Sequence, residues 1–251
     1  MPGAGGQLAI NDILGSPEDT LKVANVNLPN ALKYLYPNSQ ATYTRDDFTP
    51  VGCTGYTPNV LVVRSDSPYM TLEDLVDEAK DRPAEVNAAA DGALSDDTVA
   101  YPTFEDAADI DVNVVVVNRS SEKVTALLGD QVDFFTGGLT GVRAQVDFGD
   151  FRVLAVLAEE PSVFLEDVPT AIEQGVDLLS DSYFCFAFTK EAPEETRAGL
   201  EEAMREISED PVYQEANAKV GMEVRFLTGE EMSEEWKRQE HIVTEVVDIL
   251  Q

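Results

Sequence analysis

One segment of the chain has the residue types needed to bind an anion without a cationic side chain. In the segment 91–98, Gly92, Ser95 and Thr98 follow the apolar, strand-like run 86–90. A glycine turn lets backbone approach a ligand, and the first turn of a helix offers unpaired N–H groups at the positive end of its dipole. We therefore predict a carboxylate site formed by backbone and hydroxyl donors. The alternative is that Ser95 only caps the following helix.

A second candidate segment begins at Arg119. Ser120 and Ser121 follow the β-branched run 112–117 at the expected start of another helix. Ligands of α/β sheets bind at the carboxyl ends of the strands, so both hydroxyls are candidates. Arg119 either clamps a distal carboxylate in a bidentate manner or is a plain surface charge, and we favour the surface charge.

A third candidate segment follows the strand-like run 132–135. Thr136 and Gly137 stand at its end, in the position that the other two segments occupy after their strands. The same reasoning makes both of them ligand-binding candidates. The alternative is a simple tight turn.

The sequence gives little support for catalysis, for a resident metal or for another cofactor. Asp96 and Asp97 are adjacent, and adjacent helical residues do not face each other as a pair of catalytic carboxylates would. His241 is the one histidine, which excludes a histidine-based metal centre and makes a serine–histidine or cysteine–histidine nucleophile improbable. We expect His241 to be exposed, because it lies off the apolar stripe of its helix. The prediction is a protein with no catalytic residues, no metal and no cofactor.

The charge of the chain restricts its partners. It has 48 acidic and 17 basic residues, for a net charge of −31, and the acidic residues are spread along the whole sequence. Such a chain lacks the basic stripe that neutralises phosphates, so we exclude nucleic acid as a partner. A dense acidic surface repels itself in dilute buffer and is screened at high salt. The charge therefore predicts a halophilic host.

The two cysteines, Cys53 and Cys185, can form one disulfide or remain two thiols. Each lies in an apolar, strand-like run, where a free cysteine behaves as a small buried hydrophobic residue. We predict two free thiols.

Strand and helix signals alternate along the chain. The run 59–64 reads as a buried strand, and a capping sequence at 71–74 begins the next helix. The apolar face of that helix is predicted to consist of Leu72, Leu75, Val76 and Ala79. This pattern of strands flanked by helices predicts an α/β fold with a mainly parallel sheet covered on both faces.

The same alternation continues to the end of the chain. After the strand 112–117, a helix is predicted to turn Val124, Leu127 and Leu128 inward and to end at Gly129. The C-terminal third is mostly helical, with helix starts at 193 and 210–211 and a capping box at 228–231.

Five short motifs occur in this chain in the order found in one family. They are Pro2-Gly3-Ala4-Gly5-Gly6, the run 57–63, the run 127–133, the run 152–156 and Asp167-Val168-Pro169-Thr170. Over essentially its whole length, the chain resembles the receptors of tripartite tricarboxylate transporters, also called the TctC or Bug family.

The resemblance implies a two-lobed fold of the periplasmic-binding-protein type II, with crossing hinge strands. Lobe 1 would comprise residues 1–87 and 190–251, and lobe 2 residues 88–189. These boundaries place the two cysteines in different lobes, where a bond would lock the closure. The chain would be an extracytoplasmic, monomeric receptor that captures a small organic carboxylate of the di- or tricarboxylate class in a cleft between the lobes and works with membrane transporter subunits.

The resemblance also implies site residues. Gly92, Ser95 and Thr98 align with the family's Gly/Ser loop, in which Leu94 replaces a second glycine. Tyr56 and Thr57 are the best candidates in lobe 1. Residues 2–6 look like an anion-binding nest, although in the family this motif is more plausibly a structural turn.

One departure from the family concerns the start of the chain. The family's mature chain normally begins some tens of residues earlier, with a strand and a loop that supplies part of the ligand site. Here Met1 directly precedes the Pro-Gly-Ala-Gly-Gly motif, without an export signal. A start assigned too late, a trimmed chain and a degenerate gene copy are all open explanations.

Two other functions compete with transport. A sensory receptor would share the binding site and differ only in its partner, so it remains the alternative. A hydrolase or isomerase on the same scaffold is disfavoured by the missing nucleophile–base pair.

Overall fold

The computed structural model describes residues 7–15, 21–36, 39–92, 95–189 and 192–249. The predicted nest at residues 2–6, and Leu94, lie outside these residues. The helices are α1 Gln7–Leu14, α2 Leu72–Asp81, α3 Asp97–Ala108, α4 Ser120–Leu128, α5 Leu139–Phe148, α6 Glu194–Ser208, α7 Pro211–Ala218 and α8 Gly229–Ile249. The strands are β1 Val23–Leu28, β2 Thr49–Arg64, β3 Asn87–Asp91, β4 Asn113–Val117, β5 Phe134–Gly138, β6 Phe151–Val156, β7 Asp181–Phe188 and β8 Leu227–Thr228. No helix in these ranges is long and apolar enough to cross a membrane.

The chain divides into two compact units. Unit 1 comprises residues 1–56 and 182–251, and unit 2 comprises residues 57–181. The first boundary falls inside the 16-residue strand β2 and differs from the expected one at 87/88. The first half of β2 pairs with β8, whereas its second half pairs with β5 and β6. A strand that continues from one sheet into another carries no break in sequence that would mark the boundary.

The sheet of unit 2 has the order β4-β3-β5-β2-β6. β3 pairs in parallel with β4 and β5, and β2 pairs antiparallel with both β5 and β6. The expectation of a mainly parallel sheet therefore fails for β2, although β3, β4, β5 and β6 all run in one direction. The physical reason is that α3, α4 and α5 connect these four strands as crossovers, while β2 enters between β5 and β6 from the other end.

Helix α2 confirms the prediction from capping and periodicity. The Thr71 side chain accepts a hydrogen bond from the Asp74 N–H, and the Asp74 carboxylate accepts one from the Thr71 N–H. The four predicted apolar residues of α2 are buried in one core cluster with side chains from β2, β3 and α3. Unit 2 thus has a continuous core of its own.

Unit 1 contains the strand order β1-β7-β2, with β8 paired to the first half of β2. The sulfur atoms of Cys53 in β2 and Cys185 in β7 are bonded. The prediction of two free thiols is therefore wrong. β2 and β7 are neighbouring strands of unit 1, so the bond joins adjacent strands. The lobe boundaries implied by the family resemblance had placed the two cysteines in different lobes.

Helix α8 packs an apolar face into unit 1. Trp236 is fully buried against Phe48, and its indole Nε1 donates to the Tyr34 hydroxyl at 3.1 Å. Val243, Val246 and Val247 are also buried. His241 is 74% exposed and faces Glu245 one turn away, which confirms its assignment to the surface.

Candidate functional site

Three parallel strands of unit 2 end at one edge, and a helix begins after each of them. β3 ends at Asp91, β4 at Val117 and β5 at Gly138, and α3, α4 and α5 follow. The first turn of each helix carries N–H groups that have no partner within the helix, and its dipole is positive at this end. This edge therefore concentrates the backbone donors of unit 2.

A buried ammonium group connects the three strand ends. The Lys123 side chain, from α4, is only 4% exposed. Its Nζ lies 2.8 Å from Asp97 Oδ2, 3.1 Å from Asp91 Oδ1 and 2.9 Å from the Thr136 carbonyl oxygen. One side chain thereby ties together the end of β3, the start of α3 and the end of β5.

The Asp97 carboxylate is held on both of its oxygens. Oδ1 accepts from the Thr136 hydroxyl at 2.8 Å, and Oδ2 accepts from the Asp91 N–H at 2.9 Å as well as from Lys123. Tyr101 adds a further connection, because its hydroxyl accepts from the Thr136 N–H and donates to the Ala89 carbonyl. The loop between β3 and α3 is thus fixed to β5 by buried polar contacts.

A second polar group binds the N-cap of α3. Asn59 Nδ2 donates to Asp96 Oδ2 at 2.8 Å and to the Ser180 hydroxyl at 2.6 Å. Asp96 therefore faces Asn59, while the neighbouring Asp97 faces Lys123. The two carboxylates have separate partners, which agrees with the argument against a catalytic pair.

The charged groups of this edge shift one another's pKa values. Burial raises the pKa of Asp97 to about 7, against the opposing charge of Lys123. Burial also acts to raise the pKa of Asp91, but its hydrogen bonds and the Lys123 charge hold that pKa below its ordinary value. Burial acts to lower the pKa of Lys123, and the carboxylates of Asp97, Asp96 and Asp91 outweigh it and raise the pKa. Lys123 is therefore cationic throughout the neutral range.

The same carboxylates form a group of metal-ligand type, with one oxygen each of Asp91, Asp96 and Asp97 within 4.8 Å of one another. The Lys123 ammonium already donates to Asp97 and forms an ion pair with Asp91, two of these three carboxylates. The cation that this cluster holds is therefore Lys123, and the geometry does not favour a metal site.

The loop after β3 keeps the predicted glycine turn. Gly92 has φ +80°, a conformation that favours glycine, and open space lies where a Cβ would stand. The Ser95 hydroxyl donates to the Gly92 carbonyl at 3.2 Å. Helix α3 begins at Asp97 with Asp96 at its N-cap position, and Thr98 is half-buried in the first turn.

The loop after β4 is exposed. Arg119 is at the N-cap position of α4 but makes no side-chain capping bond. Its side chain is exposed, which fits a surface charge better than a ligand clamp. The Ser120 hydroxyl donates to the Asp91 carboxylate, which places it beside the loop after β3. Ser121 is exposed in the first turn, and its carbonyl accepts from the Thr125 hydroxyl at 3.3 Å.

The two candidates at the end of β5, Thr136 and Gly137, differ in exposure. Thr136 is buried, and its hydroxyl and backbone groups all have partners within unit 2. Gly137 is half-buried and pairs with Val60 of β2. Thr57 is also buried, with its hydroxyl 3.4 Å from the Pro58 carbonyl oxygen. Of these three residues, Gly137 is the one with accessible surface at the edge.

Tyr56 belongs to unit 1 and is 3% exposed. Its ring packs against Tyr183, with 4.9 Å between the ring centroids, and the Arg225 guanidinium lies 3.8 Å above its centroid. Of the site residues that the sequence predicted, Tyr56 is the one found in unit 1.

Sequence reasoning missed three charged residues: Asp91 and Lys123 at the edge of unit 2, and Arg225 beside Tyr56 in unit 1. A signal existed for Lys123, which precedes the buried Leu127 by four residues and so shares its face of α4. The prediction that Val124, Leu127 and Leu128 form the inward face of α4 is wrong in part, because Lys123, Ala126 and Leu127 are buried and Leu128 is 44% exposed. Arg225 stands in an irregular segment and carries no periodic signal.

The sequence matches the family described as tripartite tricarboxylate transporter family receptor over residues 1–246. Among individual proteins, it is 26% identical over 242 residues to a UPF0065 protein from Cupriavidus necator, covering 93% of this chain and 71% of that protein. It is 28% identical to a UPF0065 protein from Agrobacterium vitis and 27% identical to the protein BugT from Bordetella pertussis. The aligned regions cover 88% and 69% of this chain, and 64% and 54% of those two relatives.

Solved structures share the fold. A TctC solute-binding protein from Polaromonas superposes with a TM-score of 0.81 at 24% identity, covering 98% of this chain and 84% of that one. MatC from Rhodopseudomonas palustris, with bound malate, gives a TM-score of 0.80 at 22% identity over 98% and 86% of the two chains. A second R. palustris protein, with adipate, gives 0.82 at 20% identity over 98% and 84%. These similarities confirm the α/β fold of the periplasmic-binding-protein type.

Proposed function

Because the chain belongs to the tripartite tricarboxylate transporter receptor family, we propose that it captures a small organic carboxylate for a secondary transporter of the tripartite type. The family is one of receptors and not of enzymes, as the sequence had led us to expect. The ligand we propose is of the di- or tricarboxylate class.

One observation carries this proposal, the convergence of three helix N-termini at one edge of unit 2. Backbone N–H groups at such positions bind carboxylates by charge-assisted hydrogen bonds. The hydroxyls and glycine backbone of the loops at this edge add donors of the same kind, and we assign ligand contact to Gly92, Ser95, Thr98, Ser120, Ser121 and Gly137. In this assignment the Ser95 and Ser120 hydroxyls donate to the ligand in place of their acceptors in the structure, the Gly92 carbonyl and the Asp91 carboxylate. Relatives of the same fold hold malate and adipate, which supports the choice of ligand class.

The buried Lys123 has a supporting role in this proposal. Its ammonium donates to the Asp97 carboxylate and to the Thr136 carbonyl and forms an ion pair with Asp91, so all of these contacts lie at the strand ends and helix start that carry the donors. We therefore assign it to positioning of the loops.

We propose that the receptor acts outside the cytoplasm, as a monomer that delivers its ligand to membrane subunits. The bond between Cys53 and Cys185 supports this location, since structural disulfides persist in oxidising compartments and are rare in the cytosol.

A thermal-shift screen of organic acids tests the proposal. Malate, adipate and citrate are added at high salt, with glucose and glycine as matched non-carboxylate and zwitterionic controls. A ligand present at 100 times its Kd adds about 2.7 kcal/mol of stability, which raises the melting temperature of a chain of this size by about 5–10 °C. Calorimetry then measures the Kd of the best acid. If no di- or tricarboxylate changes the melting temperature, the proposed ligand class is wrong.

A further inference from the structure

Three residues of unit 1 from distant parts of the chain form a cation–aromatic stack. Arg225, which precedes β8, lies with its guanidinium carbon 3.8 Å from the centroid of the Tyr56 ring in β2. The Tyr183 ring of β7 packs against the Tyr56 ring, with 4.9 Å between the two centroids. The Tyr183 hydroxyl lies 3.4 Å from Arg225 Nη1. The plane and position of the guanidinium are thus set by two aromatic rings.

The backbone fixes the same arrangement. Tyr56 and Glu223 exchange two backbone hydrogen bonds, of 2.8 and 2.9 Å, which form an isolated antiparallel bridge. Arg225 follows two residues later, and its Nη2 lies 3.3 Å from Glu223 Oε2. The arginine is therefore held in place before any ligand arrives, and preorganised donors lose little entropy on binding.

The guanidinium retains donor capacity. A guanidinium has five N–H donors in a planar fork. Within the described residues, Arg225 has two polar contacts, at 3.3 and 3.4 Å, which are longer than a strong charge-assisted hydrogen bond. Its side chain is 38% exposed, whereas the Glu223 side chain is 13% exposed. The Arg225 guanidinium is thus the exposed group of this stack, since both tyrosines are buried.

Arg225 differs from the helical arginines of this chain. Arg197, Arg205 and Arg238 each pair with a glutamate three residues away, and such pairs are typical of a solvated helix surface. Arg225 instead lies in an irregular segment on an aromatic platform, a setting typical of guanidinium groups that bind carboxylates at recognition sites.

We propose that unit 1 recognises a carboxylate group through Arg225, with Tyr56 and Tyr183 orienting the guanidinium and Glu223 competing for it. This inference rests on the proposed function, because it names a further residue that recognises the same class of ligand. It assigns to the predicted site residue Tyr56 the role of a support for Arg225.

Calorimetry with malate and adipate in about 1 M KCl tests the assignment. Arg225→Gln removes the charge-assisted contact and is expected to weaken the affinity by about ten- to hundredfold. Arg225→Lys keeps the charge but loses the planar fork, so it is expected to recover part of the loss. Glu223→Gln removes the competing carboxylate with little change of shape, and is expected to tighten binding severalfold.

Arg45→Gln is the matched control. Arg45 is another partly buried cation of unit 1, with a side chain 29% exposed, and it is paired with Glu240. Its replacement is expected to leave the Kd unchanged. Melting curves of all four variants give the fraction folded at the temperature of the titration.

The outcomes separate the two proposals. If the parent chain binds neither malate nor adipate nor another acid of the screen, the proposed function fails and this inference fails with it. If the parent binds an acid and folded Arg225→Gln and Arg225→Lys bind it equally well, the receptor function stands and the assignment of Arg225 is overturned. An unchanged or weakened affinity in Glu223→Gln contradicts the competition between the two side chains.

Discussion

Lys123 Nζ lies 2.8 Å from Asp97 Oδ2, and the side chains are 4% and 1% exposed. The pair connects α4 to the first residue of α3 across the ends of β3 and β5. Burying two charges is unfavourable unless each has good partners, and here the carboxylate and the ammonium each have additional hydrogen bonds. The pair therefore gives the edge a defined geometry and makes it sensitive to the loss of either partner.

Replacing Lys123 with Met is expected to destabilise the protein by about 3–5 kcal/mol, because Asp91 and Asp97 would remain buried without their cation. Melting curves followed by circular dichroism at fixed pH and salt measure the change. Lys80→Met, at an exposed position on α2, is the control and is expected to change stability by no more than about 0.5 kcal/mol. Equal melting temperatures for both variants would mean that the Lys123 pair contributes nothing.

The pKa of Asp97 predicts a dependence of stability on pH. Burial raises this pKa from 3.8 to about 7, so the folded state binds the proton more tightly than the unfolded state. The resulting stability is complete below about pH 4 and is lost as the pH rises to about 7. Asp97→Asn is uncharged at every pH, so the parent is expected to lose up to about 4 kcal/mol relative to this variant between pH 4 and 8.

The parent is compared with Asp97→Asn because the shifted pKa values of Asp91 and Lys123 lie outside this pH window. The pKa of Asp91 is lowered and that of Lys123 is raised. Asp91 therefore changes the pH dependence of stability only below about pH 4, and Lys123 only above about pH 10. Urea unfolding of both proteins across the range gives the difference. A difference that stays constant from pH 4 to 8 would refute the raised pKa.

Gly92 and Gly149 form a matched pair for testing the site. Both have a left-handed backbone, with φ +80° and +78°, and both have open space where a Cβ would stand. Alanine at either position is expected to lower stability by about 1–2 kcal/mol, through backbone strain alone. Gly92→Ala is expected also to weaken acid binding about tenfold, because its methyl group would obstruct the approach of a ligand to the loop. If the two variants bind equally well, the loop after β3 is not part of the site.

The disulfide between Cys53 and Cys185 is expected to stabilise unit 1. The bond closes a loop of 132 residues, and native disulfides of this kind contribute about 2–4 kcal/mol. The double variant Cys53→Ser/Cys185→Ser is therefore expected to melt at a lower temperature than the parent without reductant. Peptide mapping after alkylation without reductant should give one crosslinked peptide. Two alkylated cysteines would contradict the pairing.

The net charge of −31 predicts that folding needs salt. Repulsion among the acidic residues is screened within a few ångströms at molar ionic strength, but extends much farther in dilute buffer. Circular dichroism at about 0.1 M and about 3 M KCl is expected to give a clearly higher melting temperature at high salt. Identical melting temperatures would exclude a halophilic adaptation of this surface.

Local signals in the sequence determined much of the fold. The capping box at Thr71 and the apolar face of α2 were read correctly, because both depend on residues within one or two helical turns. The alternation of strands and helices predicted the α/β class, and the ordered motifs identified the family. The glycine turn at Gly92 was likewise predicted from residues near it.

Only the tertiary structure decided which distant residues meet. It joined Cys53 to Cys185, turned Lys123 inward to Asp97, and brought Arg225 to Tyr56. It also placed the boundary between the two units inside β2, where the sequence continues without a turn or linker. Each of these relationships depends on which strands become neighbours and on how each helix is rotated against its sheet. Strand order and helix rotation are set by the packing of the whole core, so the periodicity of a single segment does not determine them.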